Sequence, residues 1–351
     1  MKRPTQADVA RIAGVSRATV SYVLNDQTDQ RIPISPETRQ RVLNAIAELG
    51  YEIDARAQSL RSGDTKTIGV LLPLYENPFF WQILRGISSE AEAAGYSLLL
   101  AHNSLTPEQE NQSVRELAEQ RVDGLIMLIG FKLLSDQVMN QLRRSTRPIV
   151  EISGTPSEFA YVYQGYGAGT RALMSHLLEL GHRRIGFVYG VTIPAQGFDR
   201  LDAYGEALQD AGLTYDETLV CHCGETLEEG YRAAFELLSQ PDRPTALLAI
   251  NDLLAMSAIR AAADLGLSVP GNVSIASFDD IPFSNFIVPR LTTVSGEPEQ
   301  NGRDAVRLLL KRIKDPELPR EVITRNWQLI IRESTGPAPR YAQTNSEHPN
   351  L

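Results

Sequence analysis

Three groups of residues have types and spacing that could carry chemistry. Cys221-His222-Cys223 offers two thiols and an imidazole, a donor set suited to zinc. Alternation along a strand points His222 away from the thiols, and no second pair of soft ligands accompanies them. Buried small residues are the expected reading there, and no metal site is expected. Gly165-Tyr166-Gly167-Ala168-Gly169-Thr170 imitates a dinucleotide-binding turn, yet Thr170 stands where the third glycine is required. The chain holds no phosphate-cradling glycine loop ending in Lys-Ser/Thr, no G-x-S-x-G elbow and no H-E-x-x-H. Neither an enzyme nor a cofactor is therefore expected. The third group is Ser16-Arg17-Ala18 with Tyr22. If Ser16 caps a helix, Arg17 and Ala18 occupy its first turn and Tyr22 lies one turn further on the same face. A guanidinium pairs with guanine O6 and N7 or with phosphate, a methyl meets the thymine methyl, and a phenol supplies one hydroxyl. That is chemistry for reading a DNA duplex.

The elements that must position these groups come in two styles. In residues 7–13, Val9, Ile12 and Ala13 fall at helical spacing; in residues 16–25, Val20, Val23 and Leu24 do the same. Gly14 suits a helix-ending turn of positive φ between them, and so short a turn makes the two helices cross steeply over one small core. A third helix is predicted from Ser35-Pro36, a cap followed by a first-turn proline, through Val42, Ile46 and Leu49 to Gly50. Residues 53–66 turn polar and read as a linker. From Ile68 onward, short apolar runs at 68–72, 97–101, 124–129, 149–152, 185–189, 246–250 and 273–278 alternate with helical stretches such as 108–120, 171–180 and 253–265. Repeated β-α units mean parallel sheet with helices on both faces, in one large sheet or two smaller ones.

Composition agrees with a folded multi-domain chain. Its 351 residues suggest two or three domains, and 42% hydrophobic with 22% charged residues is ordinary globular usage. Two cysteines cannot build a disulfide framework. The first residues carry charges without an apolar core, and no apolar run reaches about 18 residues, so neither a signal peptide nor a membrane span is expected, and a cytoplasmic location is. The net charge of −9 is uneven: residues 1–66 hold ten Lys/Arg against eight Asp/Glu, leaving 24 against 35 for the rest. Contact with a polyanion belongs at the front.

Laid end to end, these features resemble the lactose-repressor (LacI) family of bacterial transcription regulators over residues 5 to about 335. The segment 5–21, Thr5-Gln6-Ala7-Asp8-Val9-Ala10-Arg11-Ile12-Ala13-Gly14-Val15-Ser16-Arg17-Ala18-Thr19-Val20-Ser21, is similar to the family's DNA-binding signature almost position for position. Thr38-Arg39-Gln40-Arg41-Val42, Leu49-Gly50-Tyr51, Asn77-Pro78-Phe79-Phe80, Gly181-His182-Arg183-Arg184-Ile185, Asn251-Asp252 and Phe278-Asp279-Asp280-Ile281-Pro282 follow in the family's order. The resemblance implies a multi-domain molecule with an all-α helix-turn-helix head (1–52), a hinge helix and linker (53–66) and an α/β body of two subdomains like a type I periplasmic binding protein (67–340). The N-terminal subdomain is expected at 67–163 and 291–324, the C-terminal one at 164–290 and 325–340, and a frayed tail at 341–351.

The resemblance also assigns roles. Base readout falls on Arg17, Ala18 and Tyr22, and backbone contacts on Thr5, Ser16, Thr19, Ser21 and Asn25. Ala57 and Leu60 belong to the hinge helix at 54–61, with Leu60 wedging into the minor groove; these eight residues are too few for a stable isolated helix, so this one is expected to fold on DNA. The effector, by analogy a carbohydrate, meets Asn77, Phe79, Phe80, Arg200, Asn251 and Asp279 between the subdomains. One of the two phenylalanines is expected in the core, Asp202, Asp252 and Asp280 serve as caps or surface charges, and His182 belongs to a helix-to-strand turn. The chain departs from the family pattern at Tyr22 (usually arginine), at Ile53, Asp54 and Gln58 in the hinge, at Ala203 (usually glycine), and at Gly165 and Gly296, where polar cleft residues are usual. The expected partners are double-stranded DNA with a palindromic operator, a small effector and a second copy of the chain, without a membrane. An α/β enzyme and a transport-type solute-binding protein are the rivals, and the DNA-binding head and the lack of a signal peptide oppose the second.

Overall fold

Local caps set the N-terminal helices. Thr5 opens α1 (Gln6–Ala13): its Oγ1 accepts from the Asp8 amide while its own N–H donates to Asp8 Oδ2 at 3.0 Å. Gly14, at φ 66°, closes it in a left-handed conformation that a side chain would resist. Ser16 Oγ accepts from the Thr19 amide at 3.0 Å and starts α2 (Arg17–Leu24). Ser35 caps α3 (Pro36–Leu49), with Pro36 in its first turn. Val9, Ala10, Ala13, Val20, Val23 and Val42 form the buried centre of this unit, joined by Ala45.

The computed structural model describes residues 4–24, 34–51, 64–73, 77–103, 107–119, 122–128, 135–163, 165–190, 194–224 and 226–339. They fall into two units, Met1–Thr65 and Lys66–Leu351. Asn25, Ala57 and Leu60, and with them the expected hinge helix, lie outside the described residues.

The second unit alternates strands and helices. The first sheet takes β1 (Thr67–Pro73), β2 (Ser97–Asn103), β3 (Gly124–Leu128), β4 (Ile149–Ser153) and β5 (Ala160–Tyr163), with helices α4 (Pro78–Ala93), α5 (Pro107–Glu119) and α6 (Asp136–Arg143) between them. Next come α7 (Gly167–Glu179), β6 (Ile185–Tyr189), α8 (Pro194–Asp210), β7 (Val220–His222), α9 (Leu227–Ser239), β8 (Ala246–Ala249), α10 (Asp252–Asp264), β9 (Ser274–Phe278) and β10 (Thr292–Ser295). The chain ends its regular structure with α11 (Pro298–Lys314), β11 (Val322–Thr324) and β12 (Gln328–Ile330).

Two six-stranded sheets result, in the orders β11-β5-β4-β3-β1-β2 and β12-β10-β9-β8-β6-β7. Among the described residues every pairing is parallel except β10 with β12. Strands β3, β4, β6, β8 and β9 are buried along their whole length, as parallel strands covered on both faces must be. Val70 and Leu71, adjacent on β1, point into different cores.

The chain crosses between the sheets three times: after β5, after β10 and after β11. Residues 291–295 were expected with the first subdomain, but β10 pairs with β9 and β12, so the second crossing begins only after Ser295. The five short strands β5, β7, β10, β11 and β12 were not among the apolar runs read from sequence, because each is too brief to show a period.

Candidate DNA-reading face and effector site

In the N-terminal unit, Ser16, Arg17 and Ala18 are exposed at the start of α2, and Thr19, Ser21 and Tyr22 are half-buried. Thr5 is exposed, and its hydroxyl donates to Asp8 Oδ2 at 2.7 Å. A helix whose inner face holds Val20 and Val23 must present Arg17 and Ala18 outward. The capped N-terminus of α2 also carries the positive end of its dipole, which favours phosphate.

In the second unit, the sheets meet at the carboxyl ends of their strands, where open α/β folds place ligands. Asn77 caps α4: its Oδ1 accepts from the Phe79 amide at 3.0 Å. Its Nδ2 reaches across to the second sheet and donates to Asp279 Oδ2 at 2.9 Å. Asn251 caps α10 by accepting from the Leu254 amide at 2.9 Å. Arg200, on α8, is only 8% exposed. Its Nη1 donates to the Ile250 carbonyl at 2.6 Å, its guanidinium lies 3.5 Å over the Tyr166 ring, and Phe278 is 5.3 Å away. Its Nε is buried and has no hydrogen-bond partner among the described residues. Phe80 is half-buried, edge-on to Phe79 at 5.4 Å. Phe79 is buried in the core of the first subdomain and is corrected from a ligand contact to a packing residue.

Asp279 follows β9 with φ 108°, and Asp280 follows it with φ 53°. Two successive non-glycine residues of positive φ cost energy that ordinary connections do not spend, and such strain gathers at functional sites. Burial pushes the Asp279 carboxyl up to about 7, with the charge of Asp252 adding to the rise and Asn77 and Arg200 opposing it.

Asp252 is not the cap or surface charge expected from sequence. It is fully buried and accepts from Ser277 Oγ (2.5 Å), Thr293 Oγ1 (2.6 Å), Ser284 Oγ (2.5 Å) and the Ile281 amide (2.8 Å). Burial raises it to about 6 against those four donors. The arrangement holds the segment after β9, whose Ile281 packs in the core of the first subdomain. Asp280 is half-buried and paired with Arg332 at 2.6 Å.

Sequence reasoning missed Trp327 and Asp199. Trp327, in the third crossing, stacks 4.7 Å from Tyr166 and donates from Nε1 to the Gly165 carbonyl in the first. A Cβ on Gly296, in the second crossing, would stand 2.8 Å from Trp327 Cη2. All three crossings therefore meet at one indole, and Gly296 leaves room for that ring. The available signal was one tryptophan and two unexpected glycines, each in a different crossing. Asp199 accepts from the Tyr166 amide at 2.7 Å.

The remaining motifs resolve simply. His182 is fully buried after Gly181 and bonds Thr245, Ser274 and the Gly336 carbonyl, in the helix-to-strand turn. Cys221 and Cys223 are half-buried, the Cys223 thiol donating to the Gly224 carbonyl at 3.2 Å, and the described residues hold no cluster able to bind a metal. No helix among them is long and apolar enough to cross a membrane.

Comparison with known proteins agrees with this geometry. Residues 5–53 match the family model described as bacterial regulatory proteins, lacI family, and residues 174–335 match the periplasmic binding protein-like domain. The chain is 31% identical over 332 residues to the HTH-type transcriptional repressor PurR of Photobacterium profundum, covering 94% of this chain and 98% of that one. To the PurR repressor of Haemophilus influenzae (strain PittEE) it is 34% identical over 334 residues, with the same coverage. Among solved structures, the lac repressor dimer bound to operator and the anti-inducer ONPF is similar with TM-score 0.83 and 27% identity, over 95% of this chain and 100% of that one. The transcriptional regulator CelR–cellobiose complex is similar with TM-score 0.70 and 31% identity, over 95% and 100%. A LacI-family regulator from Enterococcus faecium with bound ribose gives TM-score 0.71 and 29% identity, over 77% and 99%. A duplex-reading helix pair, two strand-switching sheets and relatives that are repressors rather than enzymes converge: the chain belongs to the LacI family of bacterial regulatory proteins and is a DNA-binding transcriptional repressor, not an enzyme.

Proposed function

We propose that this repressor is a cytoplasmic homodimer whose grip on a palindromic operator is set by a small carbohydrate held between the two sheets of its body. Arg17, Ala18 and Tyr22 read base edges, while Thr5, Ser16, Thr19, Ser21 and Asn25 fix the head on the phosphates. Ala57 and Leu60 contact the minor groove from the hinge. The pocket is formed by Asn77, Phe80, Arg200, Asn251 and Asp279.

The observation that carries the effector reading is Arg200: a buried guanidinium between the sheets, stacked on Tyr166, with Nε lacking a hydrogen-bond partner among the described residues. A buried donor without a partner costs about 1–3 kcal/mol, and a ligand oxygen removes that cost. Asp279 and Asn77 supply a carboxyl and an amide for hydroxyl groups, and the aromatic faces suit sugar C–H surfaces. Two of the similar structures are of regulators in complex with cellobiose and with ribose.

The dimer reading draws on Phe283, Phe286 and Val288, the last two 81% and 90% exposed, on one segment after β9. Such apolar exposure calls for a partner, and the similar lac repressor is described as a dimer. A second copy is the occupant expected.

A thermal-shift screen of sugars, cellobiose and ribose included, tests the effector. A sugar at 100 times its Kd stabilises the chain by about 2.7 kcal/mol, and Asp279→Asn is expected to abolish that response. If Asp279→Asn responds as strongly as the parent to a hit, the pocket is assigned wrongly. If only planar heterocycles respond, the carbohydrate class is wrong and the site stands.

A further inference from the structure

Asp199 belongs to no motif and lies one residue before Arg200 on α8. Its carboxylate accepts from the Tyr166 amide at 2.7 Å. Tyr166 occupies the cap position of α7 and makes no side-chain cap bond of its own, so the start of α7 is capped from another helix. Burial raises the Asp199 pKa, while Arg200 and the amides of Tyr166, Gly167 and Arg200 lower it, and Oδ1 is buried without a hydrogen-bond partner among the described residues. The Tyr166 ring in turn lies 3.5 Å from the Arg200 guanidinium and 4.7 Å from the Trp327 indole.

We propose that Asp199 is a positioning residue for the effector site: through the Tyr166 amide it holds the first crossing, and with it the Tyr166 ring, beneath Arg200 and against Trp327. Arg200 and Asp199 are consecutive on one helix, so the residue that faces the cleft and the residue that grips the crossing move together. This assignment rests on the reading that the cleft holds the effector.

The sequence has two tryptophans, Trp81 and Trp327, so a Trp81→Phe background leaves Trp327 as the sole reporter of the crossings. In that full-length chain without ligand, Asp199→Ala is expected to speed amide exchange at Tyr166 and Gly167 about five-fold, the change that loss of a helix cap brings. It is also expected to shift Trp327 emission to the red and raise its quenching by acrylamide. Asp199→Asn, which keeps a side-chain carbonyl for the Tyr166 amide, is expected to restore the parental emission. Faster exchange with unmoved Trp327 emission would mean that Asp199 only caps α7, and the proposal would fall. Should Asp199→Ala not fold, Asp199→Glu displaces the same carboxylate by one methylene and is read by the same criteria. Because no ligand is used, a sugar screen without hits would remove the effector reading while leaving these results to stand.

Discussion

Replacing Asp279 with asparagine should make the body more stable and less dependent on pH. The Asp279 carboxyl titrates near 7 in the folded chain against an ordinary 3.8. A raised carboxylate pKa means the folded state prefers the protonated form. Its contribution to stability is complete below about pH 4 and is lost as pH rises through about 7. At 1.36 kcal/mol per pH decade, ionising this carboxyl costs about 4 kcal/mol by about pH 8. Asparagine never ionises, keeps an oxygen for Asn77 Nδ2, and is among the residues that best accept the φ of 108° found here. The expected gain is about 2–4 kcal/mol at about pH 8, shrinking toward zero at about pH 4. Asp252, raised to about 6, adds a pH dependence of the same sign in both proteins. Urea unfolding followed by circular dichroism, at one protein concentration across this pH range, measures the difference. Parallel pH profiles for parent and variant would refute the argument, because they would show that Asp279 is ionised in the folded state at no cost.

Other perturbations give separate tests. Asp252→Ala strands the buried Ile281 amide and three hydroxyls and should cost about 3–5 kcal/mol, read as a lower urea midpoint. Gly296→Ala forces a methyl onto Trp327 at 2.8 Å and should cost about 1–3 kcal/mol, with part recovered when Trp327→Leu is added; additive losses would show that the two residues do not meet. Thr5→Ala removes the capping box of α1 and should lower the stability of the N-terminal unit by about 1 kcal/mol in a melting experiment. Arg17→Ala should weaken operator binding by about 1–3 kcal/mol and relax base preference in a gel shift, whereas a uniform loss over all sequences would assign it to phosphate.

The N-terminal unit was the most legible part of the chain. Gly14, Ser16, Ser35, Pro36 and Gly50 act within a few residues of themselves, so their spacing alone predicts where α1 ends, where α2 and α3 begin and where α3 ends; the Thr5 cap that opens α1 was not read from sequence. The long buried strands were legible for a related reason: a strand covered on both faces must be apolar throughout. The short edge and crossing strands were not, since three or four residues carry no period and their pairing partners lie far away in sequence.

At the cleft, residue types could be named but not their roles. Asn77, Arg200, Asn251 and Asp279 are recognisable in their motifs, yet only the packed chain shows that Asn77 reaches Asp279 across two sheets, or that Phe79 turns into the core. Asp252 reads as a helix cap because an aspartate at a helix start usually is one; three hydroxyls from separate segments make it a buried node instead.

Caps, turns and the alternation of strand with helix are written in neighbouring residues, and they determined the kinds of elements and their order. The meeting of Asp199, Tyr166, Arg200, Gly296 and Trp327 was decided only by the tertiary structure. Apart from the consecutive Asp199 and Arg200, those residues are distant in sequence, and burial, hydrogen bonding and strain act on them only when the folded chain brings them together.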